Sequence, residues 1–256
     1  MRKHILTLVI ICVAVSLIST ACQAQQYSND GKWRYRFIPY LWLSGIEGDV
    51  TVRGIPASVD ESFSDLAENL DFALQFHFEA QKDKWGYFID PTYINLSADG
   101  TSNGTSADLD FTQWLIEFGG FRQLWSQCKG NEGKMSSIDL LFGGRYWNLS
   151  NDLTVSGVGT VGGDQDWIDP FIGARYTTDL SKLWAFNSRF DIGGFGVGSD
   201  FTWNLVLLLG YRTSQSGQLL FGYRILDVDR ESGSGADFFK YDVTYSGPIL
   251  GYSFNF

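Results

Sequence analysis

His77 stands two places from Glu79, and a histidine beside a carboxylate is the pairing from which a general base or an activated hydroxyl nucleophile is built. Such a base needs an acid or a serine near it at a mouth or a membrane interface. His77 instead lies in the middle of an alternating stretch, which reads as a hydrogen-bonded neighbour of other charges, and no enzymatic activity is expected. Metal binding would need further histidine or cysteine ligands. Gly157, Gly159 and Gly162 form a GxGxxG string, but the segment after it, DQDWIDPFIGARY, is a strand where a phosphate-cradling loop needs a helix. Asp227, Asp229, Glu231 and Gly233 follow the spacing of a calcium loop, yet the glycine comes one place late and Phe238 stands where a bidentate Glu belongs. No metal and no cofactor are expected.

The charges worth weighing share a face rather than a motif. Alternate residues of a strand point to opposite sides, and twelve ionisable residues fall on one parity of alternating segments: Arg36, His77, Glu79, Asp90, Glu117, Asp139, Arg145, Asp169, Arg175, Arg189, Asp191 and Arg224. The other parity is aliphatic and aromatic, as in Phe72, Leu74, Phe76 and Phe78, or Trp203, Leu205, Leu207, Leu209 and Tyr211. A soluble carrier barrel would reverse this, with an apolar pocket inside and charges in water. The charges therefore point into a lumen and the apolar residues into lipid. Mixed signs in a narrow lumen imply paired ions, because an unpaired buried ion costs several kcal/mol, and small barrels generally fill with side chains.

Ten such strands can be placed: Lys32 to Leu43, Asp71 to Lys82, Trp85 to Ser97, Asp108 to Trp125, Ser137 to Asn151, Asp166 to Thr178, Leu183 to Gly194, Phe201 to Thr213, Gln218 to Arg230 and Lys240 to Phe256. An even number suits an up-and-down barrel with both termini on one side. Connections alternate between tight turns (Lys82 to Lys84, Asp179 to Lys182, Ser214 to Gly217) and longer loops (Ala98 to Ala107, Asp152 to Gln165, Glu231 to Phe239). Short turns on the periplasmic side and long loops outside are the pattern of an outer-membrane barrel; Ser126 to Ser136, eleven residues long, is the exception. Residues 46–70 break the rhythm and read as an extracellular insert, a hairpin around RGIP followed by a short helix from Ser64 to Leu70 capped by Ser64.

Composition agrees. Aromatic residues make up 16% of the 256 and there are 29 glycines with only 2 methionines, a strand-and-turn composition. Arg2 and Lys3, an apolar run from Ile5 to Ile18 and the small-residue segment STACQA read as a signal peptide over residues 1–24, leaving residues 25–256 as the barrel. Ser19-Thr20-Ala21-Cys22 is also an imperfect lipoprotein box. Cys12 leaves with the signal, so Cys128 has only Cys22 to pair with, and a disulfide framework is not expected. The net charge of −10, with lysines gathered at the tight-turn end and acids in the outer loops, excludes a nucleic-acid partner.

The last strand ends GYSFNF, with Leu250, Tyr252, Phe254 and Phe256 on one parity and Gly251, Ser253 and Asn255 on the other. Gly251, Tyr252, Phe254 and the terminal Phe256 resemble the carboxy-terminal insertion signal of bacterial outer-membrane β-barrels, with Ile249 departing from it. With PYLW at Pro39, WIDPFIGARY at Trp167, GGFGVGSDFTW at Gly193 and GYRILDVD at Gly222, the chain resembles a largely uncharacterised family of porin-like or surface-antigen-like outer-membrane barrels of this size. The resemblance implies an all-β, single antiparallel barrel in the outer membrane and carries no catalytic residue or ligand. Expected partners are membrane lipids, lipopolysaccharide and the outer-membrane assembly machinery, with the chain a monomer. The expected function is a narrow porin-like channel or membrane-integrity protein; the alternatives are a surface adhesion barrel acting through its loops and, less favoured, a membrane-embedded hydrolase.

Overall fold

A computed structural model describes residues 31–52, 54–102, 105–129, 134–155 and 159–256; the signal-peptide reading and Cys22 lie outside them. In chain order the strands are β1 (Trp33–Trp42), β2 (Gly45–Val52), β3 (Ile55–Glu61), β4 (Leu70–Lys82), β5 (Trp85–Ser102), β6 (Thr105–Lys129), β7 (Lys134–Val155), β8 (Gly159–Asp179), β9 (Trp184–Gly193), β10 (Phe201–Arg212), β11 (Gly217–Ser232) and β12 (Phe239–Asn255), with one helix, α1 (Phe63–Glu68), between β3 and β4. β1 and β4 to β12 form ten antiparallel staves, closed because β1 pairs with both β4 and β12. Closure leaves no stave edge unpaired in the hydrocarbon, where no water could satisfy it.

The closing seam is built from three local choices. β1 runs along the inner half of β12, from Arg36↔Asn255 to Trp42↔Ile249, and β2 then takes over along its outer half, from Ser246↔Gly45 to Lys240↔Thr51. The crossing passes tightly over Gly247, where a Cβ would sit 2.1 Å from the Leu43 carbonyl oxygen. On its other side β1 pairs with β4 only as far as Pro39↔Phe76. Proline has no N–H to carry a ladder on, and just beyond it the Trp42 N–H donates to the Gln75 side chain at 2.6 Å.

The strands are longer than the alternation of apolar residues predicts. The described parts of the three expected loops, residues 98–102 and 105–107, 152–155 and 159–165, and 126–129 and 134–136, are strand. The β5–β6 ladder continues to Ser102↔Thr105, β7–β8 to Val155↔Gly159 and β6–β7 to Lys129↔Lys134. These stretches are Ser, Thr, Asp and Gly with few large residues, and ladder hydrogen bonds form between backbones whatever the side chains. The helix also differs from expectation: Ser62, not Ser64, caps it. The Asp65 N–H donates to Ser62 Oγ at 3.4 Å and the Ser62 N–H to the Asp65 carboxylate at 3.1 Å, a reciprocal box.

β8 continues twelve residues outward past Phe171, its last partner on β9, roughly 40 Å at 3.3 Å per residue. Outside the membrane the wall is therefore two four-stranded blades, β5–β8 and β11–β12–β2–β3. They face each other over an apolar core of Trp42, Leu115, Trp147, Leu149, Trp167, Leu226, Val228, Phe239, Tyr241, Val243, Tyr245 and Ile249. Trp147 and Trp167 stack at 5.6 Å, and Tyr241 meets both edge-on. The outward parity of the staves keeps its apolar residues exposed, among them Leu41, Phe72, Ile89, Phe118, Phe142, Ile172, Phe190, Leu207, Phe221 and Leu250. At the end of the tight turns Trp33, Tyr35, Trp85, Tyr87, Trp125 and Trp184 are exposed too, as in an interfacial aromatic girdle.

Candidate functional site

The inward parity brings eleven of the twelve expected charges into two linked groups across the lumen. Strand register makes three of the ion pairs directly: Arg36 lies opposite Glu79, Glu117 opposite Arg145, and Asp139 opposite Arg175. Others join residues of one strand or of neighbouring strands, as Arg189 to Asp191 and His77 to Asp90, and some, such as Arg175 to Glu79 and Arg224 to Glu117, cross the lumen.

Glu117 is the hub of the deeper group. Its carboxylate is fully buried and accepts from Arg145 Nε at 2.9 Å and Nη2 at 2.7 Å, from Arg189 Nη2 at 3.2 Å and from Arg224 Nη2 at 2.8 Å. Asp191 accepts from Arg145 at 2.7 Å, Arg189 at 2.8 Å and Asn204 at 2.8 Å. Arg145 also donates to Thr202 at 3.0 Å, and Arg224 to the Asn204 side-chain oxygen at 2.9 Å. Rings cover the flat faces of the guanidiniums: Phe171 lies 5.5 Å from Arg145 and 5.2 Å from Arg189, and Trp42 lies 4.6 Å from Arg224. A buried ion tolerates its desolvation when its hydrogen-bonding capacity is filled in this way.

The second group sits nearer the tight turns. Arg175 donates to Asp139 at 2.9 Å and to Glu79 at 2.5 Å over the face of Phe121. His77 Nδ1 lies 2.9 Å from Asp90, which also accepts from the Tyr40 hydroxyl at 2.6 Å, and Nε2 is 3.6 Å from Glu79. Arg36 reaches Glu79 at only 4.0 Å and donates through Nε to Asn255 at 3.1 Å.

Asp169 departs from the expected arginine network. It accepts instead from the indoles of Trp147 and Trp167, both at 3.1 Å, and from the backbone and hydroxyl of Ser199 at 2.6 and 2.9 Å. Ser199 belongs to the glycine-rich turn between β9 and β10, where Gly194, Phe195 and Gly196 all have positive φ. The turn lies against β8, so close that a Cβ on Gly198 would be 2.4 Å from the Ile168 carbonyl oxygen. Arg230 donates to the Gly198 carbonyl and lies 4.7 Å from the Trp167 ring. Asp169 thus fastens an outer turn down over the short β9–β10 pair.

Two connected cavities enter from the tight-turn end. The first, about 270 Å³, is lined by Arg34, Arg36, Glu79, Asp179, Lys182 and Arg212 among others; the second, about 150 Å³, shares Arg36, Thr177, Ala185 and Gln218 with it and reaches His77, Asp90 and Arg189. Beyond them Arg145, Glu117, Asn204, Thr202, Trp147, Leu115, Leu226 and Val228 each have less than 2% of their surface exposed. The cavity is blind. The aromatic half of this seal was not among the expected site residues, although its parity was visible: Trp147 and Leu149 continue the face of Arg145, and Tyr241, Val243 and Tyr245 that of Ser253.

Of the expected assembly signal, Phe254 and Phe256 are exposed on the lipid side, Gly251 packs under Tyr40, and the Tyr252 hydroxyl lies 2.7 Å from that of Thr213. Cys128 is a free, exposed thiol. Among the described residues no group of three or more His, Cys, Asp or Glu side chains is arranged to hold a metal ion. In the outer blade, partial burial raises the Asp229 carboxyl above its ordinary range, aided by Asp242 and Asp200 beside it.

A closed antiparallel barrel with an apolar outer belt and a charged, filled lumen defines an outer-membrane β-barrel. No protein-family model matches the chain, and no curated protein matches it in sequence. Among solved structures it is similar to the outer membrane protease OmpT from Escherichia coli, at TM-score 0.58 and 8% identity over 89% of this chain and 98% of that one. Matches also include Ail, the attachment invasion locus protein of Yersinia pestis, at TM-score 0.37 and 11% identity over 88% of this chain and 98% of that one. The translocator domain of the autotransporter NalP from Neisseria meningitidis matches at TM-score 0.37 and 9% identity over 100% of this chain and 95% of that one. The first of these supports the barrel fold alone.

Proposed function

We propose that the chain is a closed, non-conducting outer-membrane barrel that serves membrane integrity. The observation that carries this is the hub at Glu117, where three arginines from three staves meet one carboxylate directly beneath the aromatic core between the blades. A narrow porin-like channel would need a continuous water path past Glu117 and Trp147, neither of which has more than 1% of its surface exposed. Membrane lipids and lipopolysaccharide are then its partners, along with the assembly machinery that inserts it, and it acts as a monomer. Planar-bilayer recording of the refolded protein tests the reading: a silent bilayer is expected, and reproducible single-channel steps from the unmodified chain would overturn it.

A surface-interaction role is the second reading, favoured by the two blades and by β3, which pairs with β2 alone. OmpT is a protease by name, but His77 of this chain lies inside the barrel between Asp90 and Glu79, and we assign it a structural role in the lumen rather than a catalytic one.

A further inference from the structure

We propose that the blind cavity is a binding site for a phosphate group entering from the periplasm. The chain as a whole carries a net charge of −10, yet this cavity is cationic. Its outer part sets Arg34, Arg36, Lys182 and Arg212 against Glu79 and Asp179, whereas the arginines of its inner part, Arg175, Arg189 and Arg224, are matched by Asp139, Asp191 and Glu117. The carboxylates of the outer part are already engaged. Glu79 is held by Arg175 at 2.5 Å, and Asp179 is bonded by Arg212 and by the Met135 N–H at 2.9 Å. Arg36 holds its carboxylate loosely, 4.0 Å from Glu79, and its side chain keeps 31% of its surface exposed.

Arginine's planar fork matches phosphate oxygens two at a time and keeps its charge at any physiological pH. Around Arg36 stand neutral groups able to donate to an anion: Gln81, Gln218, Asn255 and Thr177. Lysines at the same end (Lys82, Lys84, Lys134, Lys182) add a field that draws anions toward a low-dielectric mouth. About 270 Å³, narrowing to 150 Å³, admits a phosphate with a small organic group and no polymer. The phosphate can belong to a free periplasmic ester or to a lipid headgroup reaching in from the inner leaflet. The site stands whether or not the barrel conducts, since it lies on the periplasmic side of Glu117.

The test uses the mature chain refolded in a non-ionic detergent, at low salt and without phosphate buffer, titrated with inorganic phosphate and with glycerol 3-phosphate by calorimetry. Saturable binding is expected, weakened at least tenfold by Arg36→Gln and unchanged by Arg122→Gln, which removes the same charge from the exposed side of β6. If Arg36→Gln fails to reach the compact unboiled form, Arg36→Lys keeps the charge, loses the fork and is expected to weaken binding several-fold. A lipid source is read separately, by native mass spectrometry of protein released from mixed phosphatidylglycerol and phosphatidylcholine nanodiscs. Selective retention of phosphatidylglycerol that Arg36→Gln abolishes, without binding of the free esters, assigns the phosphate to a headgroup. Absence of both kinds of binding, no effect of either Arg36 variant, or equal weakening by Arg36→Gln and Arg122→Gln, overturns the site.

Discussion

Glu117 accepts hydrogen bonds from three arginines while Asp191 shares two of them. Removing the hub would leave Arg145, Arg189 and Arg224 with one buried carboxylate among them, and the loss of one partner from a buried ion pair typically costs about 3–5 kcal/mol. Glu117→Ala is therefore expected to lower the urea midpoint of unfolding from lipid vesicles by an amount of that order. Glu117→Gln, which keeps the shape and drops the charge, should fall between that variant and the unmodified chain. A Glu117→Ala barrel as stable as the parent would show that the guanidiniums find water or other partners, and that the lumen is wetter than its packing implies. Asp169 makes the opposite case. It lies opposite Arg145 in register, yet it bonds two indoles and a serine, because Arg145 is already occupied by Glu117 and Asp191.

At the scale of elements, the seam between β1 and β12 closes the barrel and Phe256 is its last tie. Tyr35 and Phe256 exchange backbone hydrogen bonds at 2.8 and 3.0 Å, and their rings stack at 5.9 Å. Deleting Phe256 removes both bonds and the ring from the closing seam. The truncated chain is expected to accumulate as unassembled protein and to lose the heat-modifiable band on unboiled gels; a normal band would break the link between this residue and insertion. The staves themselves were legible in the sequence because lipid on one side and a filled lumen on the other enforce strict alternation, as in Phe72 to Glu79. The outward runs of β5 to β8 were not. There the residues are small and polar on both faces, so Asp152 to Gln165 reads as a loop although residues 152–155 pair in register with 159–162. The charged half of the lumen was legible because ions stand out on an otherwise small-residue face. Trp147 and Tyr241 share that face, but an aromatic residue in a barrel ordinarily reads as lipid-facing. What remained out of reach was which arginine meets which carboxylate across the lumen, because a bond such as Arg224 to Glu117 spans 107 positions and no local pattern encodes it.

The whole molecule is held together by two different kinds of force. Within the membrane every stave has a bonded neighbour on each side, but outside it no strand ladder among the described residues joins the β5–β8 and β11–β12–β2–β3 blades, which meet chiefly through the Trp147, Trp167, Tyr241 and Tyr245 cluster. A ladder cannot be lost in part without exposing backbone to hydrocarbon, whereas packed rings in water can separate at the cost of their contact area alone. The chain is therefore expected to unfold as two cooperative units. Amide hydrogen exchange should find it so, with Leu149 and Val243 losing protection at a denaturant concentration that leaves Phe118 and Leu207 untouched; simultaneous release of all four would mean that the blades and the staves unfold as one. A structure so divided could shed its outer half under stress and keep its lumen packed, because the ion network at Glu117 belongs to the half that stays.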